Sequence, residues 1–341
     1  MNSLLVLGIA FVVIYDFTNG FHDAADMVAT AIASRTMTPG IAIFIVSLFT
    51  FLGPLLGGLA VANTIGEFVQ LQGTEKNIAQ SVVFAAILAA ISYNLITWKF
   101  GLPTSSSNSL TSGLVGAAIF SLGSNHVNWG FSEILDGNIV GFMRIIVGIV
   151  FSPLAGFIVG FIIMKISLRL LKRLTAKSKK IVLFTQYLTV SWLAFSHGTN
   201  DSQKGMGIIG MLLLANSIYP TFTIPLWVIL LCATSITLGT LFGGWSIIKT
   251  VGFDIYKVKL IHSVADQISA AAVILGSSLI GAPTSTTQVV TTSLMGVGAA
   301  ERPKHVRWTV AKSIFKGWLL NIPISFILGA VFCFILLNLI N

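Results

Sequence analysis

Carboxylates in this chain stand where carboxylates are costly. Within an apolar stretch covering residues 3–34, Asp16, Asn19, Asp23 and Asp26 recur at spacings of three, four and three residues, which places them on one helical face. An ionised acid at bilayer depth costs about 2.5 kcal/mol or more unless it is paired, and three on one face repel one another. Cations or protons are the partners that relieve this, so the face reads as a cation or proton site. A polar seam binding neighbouring helices is the plainer alternative, but it leaves the shared negative charge unanswered. Further along, Asn200, Asp201 and Lys204 repeat the pattern with a lysine at the position that matches Asp26. Three partners are open to Lys204: a substrate anion, Asp201 on its own helix, or Asp26 across the chain. His22 and His197 flank the acids as proton relays or as groups that orient a neighbour.

Two hydroxyl runs supply the opposite chemistry. Pro103-Thr104-Ser105-Ser106-Ser107 and Pro283-Thr284-Ser285-Thr286-Thr287 each precede an apolar helical segment. Proline fits the first turn or the end of an incoming segment, and the hydroxyls suit caps. The amino ends of these helices therefore lie at membrane depth. Their free N–H groups and hydroxyls form a neutral anion cradle at a positive dipole end. Packing of helices through hydroxyls accounts for one such run more easily than for two matched ones. Donor cradles beside acidic cation sites imply a small oxyanion moved together with a coupling cation.

The elements that position these groups come in two copies. Gly20-Phe21-His22-Asp23 recurs as Gly198-Thr199-Asn200-Asp201 after 178 residues, and the Pro-Thr-Ser runs are 180 apart. Gly57-Gly58 recurs at Gly243-Gly244, and Pro153 at Pro323. Residues 1–175 and 183–341 read as two transmembrane repeats joined by a basic linker, 165–180. Hydropathy gives about five spans in each: 3–34 (interrupted at Gly20), 41–65, 79–99, 104–122 and 139–165, then 183–214, 223–247, 260–280, 283–299 and 313–340. Five is odd, so the second copy enters the membrane inverted. Charge placement agrees. Loops near Arg35, Lys99, 249–259 and 300–312 are basic, while 66–78, 124–138 and 215–222 carry Glu67, Glu75, Glu133 and Asp136 against Lys76 alone. The predicted fold is an all-α polytopic membrane protein with two inverted-topology repeats and broken or re-entrant helices at the midplane. The linker lies in the cytoplasm and both termini outside, in the cell (inner or plasma) membrane.

Composition sets the same class. The 341 residues are 55% hydrophobic and 9% charged, against roughly a quarter charged in soluble domains. The net charge of +9 is no nucleic-acid signal. Seven cations, Lys165, Arg169, Lys172, Arg173, Lys177, Lys179 and Lys180, crowd the linker, where they face cytoplasm and lipid headgroups. Cys232 and Cys333 have no metal or disulfide spacing. With no nucleophile elbow, zinc spacing or P-loop, the chain reads as a non-enzyme driven by an ion gradient.

The four motifs in this order resemble the inorganic phosphate transporter (PiT) family, and Ser196-His197-Gly198-Thr199-Asn200-Asp201-Ser202-Gln203-Lys204-Gly205 is similar to the bacterial low-affinity phosphate permeases. The resemblance implies a homodimeric symporter of inorganic phosphate with Na⁺ or H⁺, without a covalently bound cofactor or structural metal. In bacterial members the cargo can be a neutral complex of hydrogen phosphate with Mg²⁺ or another divalent cation. It assigns substrate binding to Asp23, Asp201, Ser105, Ser106, Ser107, Ser285, Thr286 and Thr287, and coupling-cation binding to Asn19, Asp23, Asn200 and Asp201. The residues themselves add Thr104 and Thr284 to the substrate set, Asp26 to the cation set and Lys204 as a charge partner. Asp26 stands where the family usually has Asn, and Asn108 and Gln288 where it usually has His, which weakens direct proton coupling through those positions. A sulfate or other tetrahedral-oxyanion permease is the alternative cargo reading. An anion channel fits less well, because Lys204 is the one conspicuous midplane cation.

Overall fold

The computed structural model describes residues 3–171, 179–243 and 248–340. Lys172, Arg173 and Lys177 of the basic linker, and Gly244 of the second glycine pair, lie outside the described residues. In chain order the first half has α1 (Ser3–Ala33), α2 (Pro39–Leu56), α3 (Ala60–Glu67), α4 (Lys76–Lys99), α5 (Ser106–Leu122), the short α6 (Phe131–Leu135) and α7 (Gly141–Leu171). The second half has α8 (Lys179–Ala215), α9 (Leu226–Phe242), a π-helical turn at Thr250–Asp254, α10 (Leu260–Leu279), α11 (Thr286–Glu301) and α12 (Trp308–Ile340). Among the described residues, α1, α2, α4, α7, α10 and α12 are long and apolar enough to cross a membrane.

The usual inside-out order of a water-soluble core is reversed. Asp16, Asn19, Asp23, Asp26, Asp201 and Lys204 are buried, whereas Phe44, Leu56, Phe242 and Leu339 face outward. Apolar side chains lose nothing by facing lipid tails, so close packing and polar contacts hold the helices together. Those contacts cross between the halves. α1 packs on α9 and α2 on α8, while α5 packs on α12 and α11 on α7. Exchanging the halves leaves this pattern of neighbours unchanged. Hydrogen bonds follow it: Thr64 in α3 donates to the Gly281 carbonyl (2.7 Å), and Thr250 in the π turn donates to the Gly101 carbonyl (3.0 Å).

The interruption predicted at Gly20 is absent, while those at the two Pro-Thr-Ser runs are present. Gly20 and Gly198 do not interrupt anything, because α1 and α8 run through them as continuous helices. Their lack of a side chain serves close approach instead. A Cβ on Gly20 would meet the Ile236 carbonyl of α9, and one on Gly198 the Thr50 carbonyl of α2. The breaks lie at Gly58, Gly101, Gly243 and Gly281, all with positive φ (80°, 64°, 60° and 72°), a region open to glycine at little cost. The predicted span 41–65 therefore splits into α2 and α3. The predicted spans 104–122 and 283–299 become the shorter helices α5 and α11, which begin in the interior after the non-helical segments 102–105 and 282–285.

Loops assigned to one membrane side by charge gather together. Arg35, Lys257, Lys259, Arg302 and Arg307 line one cavity of about 920 Å³. Loops 66–78 and 124–138 are joined by backbone bonds from Gln70 to His126 and from Asn128 to Phe68.

The glycine contacts give a measurable consequence. Gly20→Val and Gly198→Val should each destabilise the protein by about 1–3 kcal/mol or more through overpacking. Gly40→Val, where an added Cβ meets open space, should cost less. Thermal unfolding of the detergent-solubilised variants reads the difference; equal melting temperatures would contradict the close-approach account.

Candidate functional site

The centre of the molecule is where α1 and α8 meet the amino ends of α5 and α11. α1 brings Asp23 and α8 brings Asp201, and a carboxylate oxygen from each lies with a His197 nitrogen inside a mutual distance of 4.8 Å. Residues 178 positions apart in sequence thus share one buried cluster, and all three side chains are buried.

Asp201 is saturated with donors. Its Oδ1 accepts from Asn200 Nδ2 (2.7 Å) and Thr286 Oγ1 (3.2 Å) and pairs with Lys204 Nζ (2.9 Å). Its Oδ2 accepts from Asn19 Nδ2 of α1 (3.0 Å). A carboxylate offers about four lone-pair sites, so little acceptor capacity remains. Lys204 also donates to the Thr284 carbonyl (3.1 Å), as does Asn200 (2.9 Å), in the non-helical segment before α11. Of the two side chains open to Lys204, Asp201 rather than Asp26 is its ion-pair partner among the described residues.

Asp23 and Asp26 have the opposite character. Thr287 Oγ1 lies 3.2 Å from Asp23 Oδ1 and 2.6 Å from Asp26 Oδ2. A hydroxyl has one proton, so it cannot donate to both at once. His22 Nδ1 lies 2.8 Å from Asp23 Oδ1, matching the Asn200–Asp201 contact in the other copy. Asp26 Oδ1 and Asn19 Oδ1 are buried without a hydrogen-bond partner among the described residues. This side of the cluster is rich in acceptors and poor in donors, which is the composition of a cation site.

The hydroxyl runs divide by role. Ser105 accepts from the Asn108 N–H (3.1 Å) and caps α5; Ser285 does the same for α11 through Gln288 (3.3 Å). Asn108, one of the departures from the family pattern, accepts a bond from the Ser105 hydroxyl (2.8 Å). Thr104 is tied to Thr97 (2.9 Å). Ser107 donates to the Thr284 carbonyl (2.8 Å), which links the first turn of α5 to the non-helical segment before α11 across the halves. Thr286 and Thr287 reach the acids, with His197 Nδ1 3.0 Å from Thr286 Oγ1. The Thr284 hydroxyl is buried and has no hydrogen-bond partner among the described residues, and Ser106, in sequence register with Thr286, is buried as well.

One acid escaped the sequence reading. Asp266 in α10 is fully buried with both carboxylate oxygens unpartnered among the described residues, as are those of Asp16 in α1. The signal existed: Asp266 is a lone acid inside the predicted span 260–280. At the basic cavity, Glu301 accepts a hydrogen bond from the Tyr256 hydroxyl (2.7 Å) and lies 3.7 Å from Lys259. Burial and the neighbouring Glu301 carboxylate raise the Tyr256 phenol above its ordinary range.

Capping makes a testable statement. Ser105→Ala and Ser285→Ala should each lower stability by about 1 kcal/mol through loss of a helix cap, seen in thermal unfolding. An unchanged melting temperature in both would show that the caps contribute nothing to the fold.

With this geometry in place, comparison with known proteins is informative. A family model described as the phosphate transporter family matches residues 19–329. A probable low-affinity inorganic phosphate transporter of Bacillus subtilis is 39% identical, covering 98% of this chain and 99% of its own. One from Rhizobium meliloti is 35% identical, covering 99% and 97%. A solved structure described as the sodium-dependent phosphate transporter superposes over 100% of both chains with a TM-score of 0.85 at 24% identity, which shows a common fold.

Proposed function

The chain belongs to the phosphate transporter family, and on that premise we propose that it is a secondary active symporter taking up inorganic phosphate with Na⁺ or H⁺ by alternating access. The observation that carries this reading is the meeting of Asp23 from α1 and Asp201 from α8 at the amino ends of α5 and α11. Acceptors for a cation and donors for an anion are thereby neighbours in one buried site. Such a site favours loading both together, because each ion offsets the cost of burying the other.

In this reading phosphate is held by first-turn N–H groups of α5 and α11 that the caps leave free, with the hydroxyls of Ser106, Ser107, Thr284 and Thr286. Helix dipoles favour the anion there. The Ser105, Ser285 and Thr104 hydroxyls, already bonded within the protein, contribute by holding those helix ends in place. The coupling cation uses Asp23, Asp26 and Asn19. A divalent cation such as Mg²⁺ can enter as part of the cargo, bound to hydrogen phosphate. The two repeats, 1–175 and 183–341, are inverted copies that rock against each other about the site, a reading supported by the exchangeable packing of the halves. The protein resides in the cell membrane with its basic linker in the cytoplasm and its termini outside. Outward apolar faces on α7 and α12 are lipid contacts and the surface available to a homodimer.

Uptake of labelled phosphate into proteoliposomes, with Na⁺ and pH gradients imposed separately, tests the reading. Accumulation against a concentration gradient under one of them, collapsed by the matching ionophore, is the expected result; equilibration without accumulation would make the protein a channel. Arsenate should compete and sulfate should not, and the reverse would assign a sulfate permease. Asp23→Asn and Asp201→Asn should each reduce uptake at least about 100-fold, the scale of losing one buried charge contact, while still reaching the membrane. Normal uptake by either would remove that residue from the site.

A further inference from the structure

The two copies of the acid motif are not equivalent, and the opposite charges stand at one position, Asp26 against Lys204. Symmetry of the repeats would produce two carboxylate sites, one at Asp23 and one at Asp201. At Asp201 the space beside the carboxylate is filled by Lys204 Nζ, held by Asp201 Oδ1 at 2.9 Å and by the Thr284 main-chain carbonyl at 3.1 Å. A carboxylate oxygen together with a backbone carbonyl at a helix break is the ligand set that a small hard cation takes. Lys204 reaches it from within the same helix, three residues on, and is fully buried. At the matching position the first copy has Asp26, so the ammonium there is replaced by another acid. Around Asp23 and Asp26 the oxygens outnumber the donors, and Asp26 Oδ1 and Asn19 Oδ1 are buried and unpartnered among the described residues.

We propose that Lys204 is a built-in cation: its ammonium permanently occupies the second-copy cation site, so that the chain takes up one mobile monovalent cation, at Asp23 and Asp26, where a symmetric pair of sites would take two. This deepens the transport reading and rests on it for its meaning in coupling. A tethered ammonium cannot leave with the cargo. It fixes the charge at Asp201 through the cycle and lowers the number of coupling ions moved per phosphate. The buried pair also stays neutral by itself, which removes the need for a second ion to arrive before the helix ends can hold an anion.

The test counts cations directly. Equilibrium binding of ²²Na⁺ to purified, detergent-solubilised protein is measured for wild type, Lys204→Ala and Lys204→Arg. Lys204→Ala is expected to gain about one Na⁺ per chain, since the vacated carboxylate and carbonyl require a replacement charge. Lys204→Arg, which retains the charge, is expected to match wild type. Where the alanine variant does not fold, Lys204→Gln keeps much of the volume and should show the same gain at higher Na⁺. Equal Na⁺ counts in wild type and the neutral variants would overturn the proposal, and so would a wild type that already binds two. Binding is read without transport, so a wild type that moves no phosphate would remove the transport reading while the Na⁺ count still reports on Lys204.

Discussion

The cost of placing a carboxylate where there is no water organises this molecule. Asp23 and Asp201 lie in the interior of a protein whose outer surface is apolar, and each must be answered by a donor, a cation or a proton. The fold answers Asp201 completely, with Asn19 from α1, Asn200 and Lys204 from α8, and Thr286 from α11. It answers Asp23 and Asp26 incompletely, with one hydroxyl between them and a neighbouring histidine. The first arrangement is closed by the protein's own donors, and the second leaves acceptor oxygens over.

Meeting those requirements dictates the packing around them. α1 and α8 can bring their acids together only if the helices around them approach closely, and glycines at 20, 53, 198 and 239 allow backbone to lie against backbone in the α1–α9 and α2–α8 pairs. α5 and α11 can aim their amino ends inward only if the chain stops being helical at membrane depth. The exposed backbone groups this creates are satisfied from the other half: Thr64 and Thr250 take the glycine carbonyls, and Asn321 donates to the Ser105 carbonyl (2.7 Å). Neither half completes this bonding alone, so the site and the interface between the halves are the same structure.

Departures from the family's pattern acquire a physical meaning in this setting. Asn108 accepts from the Ser105 hydroxyl at the α5 cap, and Gln288 supplies the capped N–H of α11. Neither position carries an imidazole, which leaves His22 and His197 as the histidines beside Asp23 and Asp201. Asp26 adds an acid to one copy while Lys204 adds an ammonium to the other. The matched motifs thereby differ in charge, one paired within the protein and one rich in acceptors.

Much of this was legible from residue order alone. The internal repeat, the helical face of acids, the capping runs and the basic linker are local patterns, and local patterns survive without coordinates. Recognition of the phosphate transporter family also needed only the motifs. What residue order could not supply was which glycines bend the chain, because a glycine in a helix packed against a carbonyl and a glycine ending a helix at positive φ look alike in sequence. Gly20 and Gly198 proved to be contacts, and Gly101 and Gly281 the turns. It could not choose a partner for Lys204 either, since an i,i+3 neighbour and a residue 178 positions away are equally available until the helices are packed. Residue order determined the chemistry that had to be buried. Only the tertiary structure decided which charges are paired within the protein and which are not, because that depends on distances of a few ångströms between segments far apart in the chain.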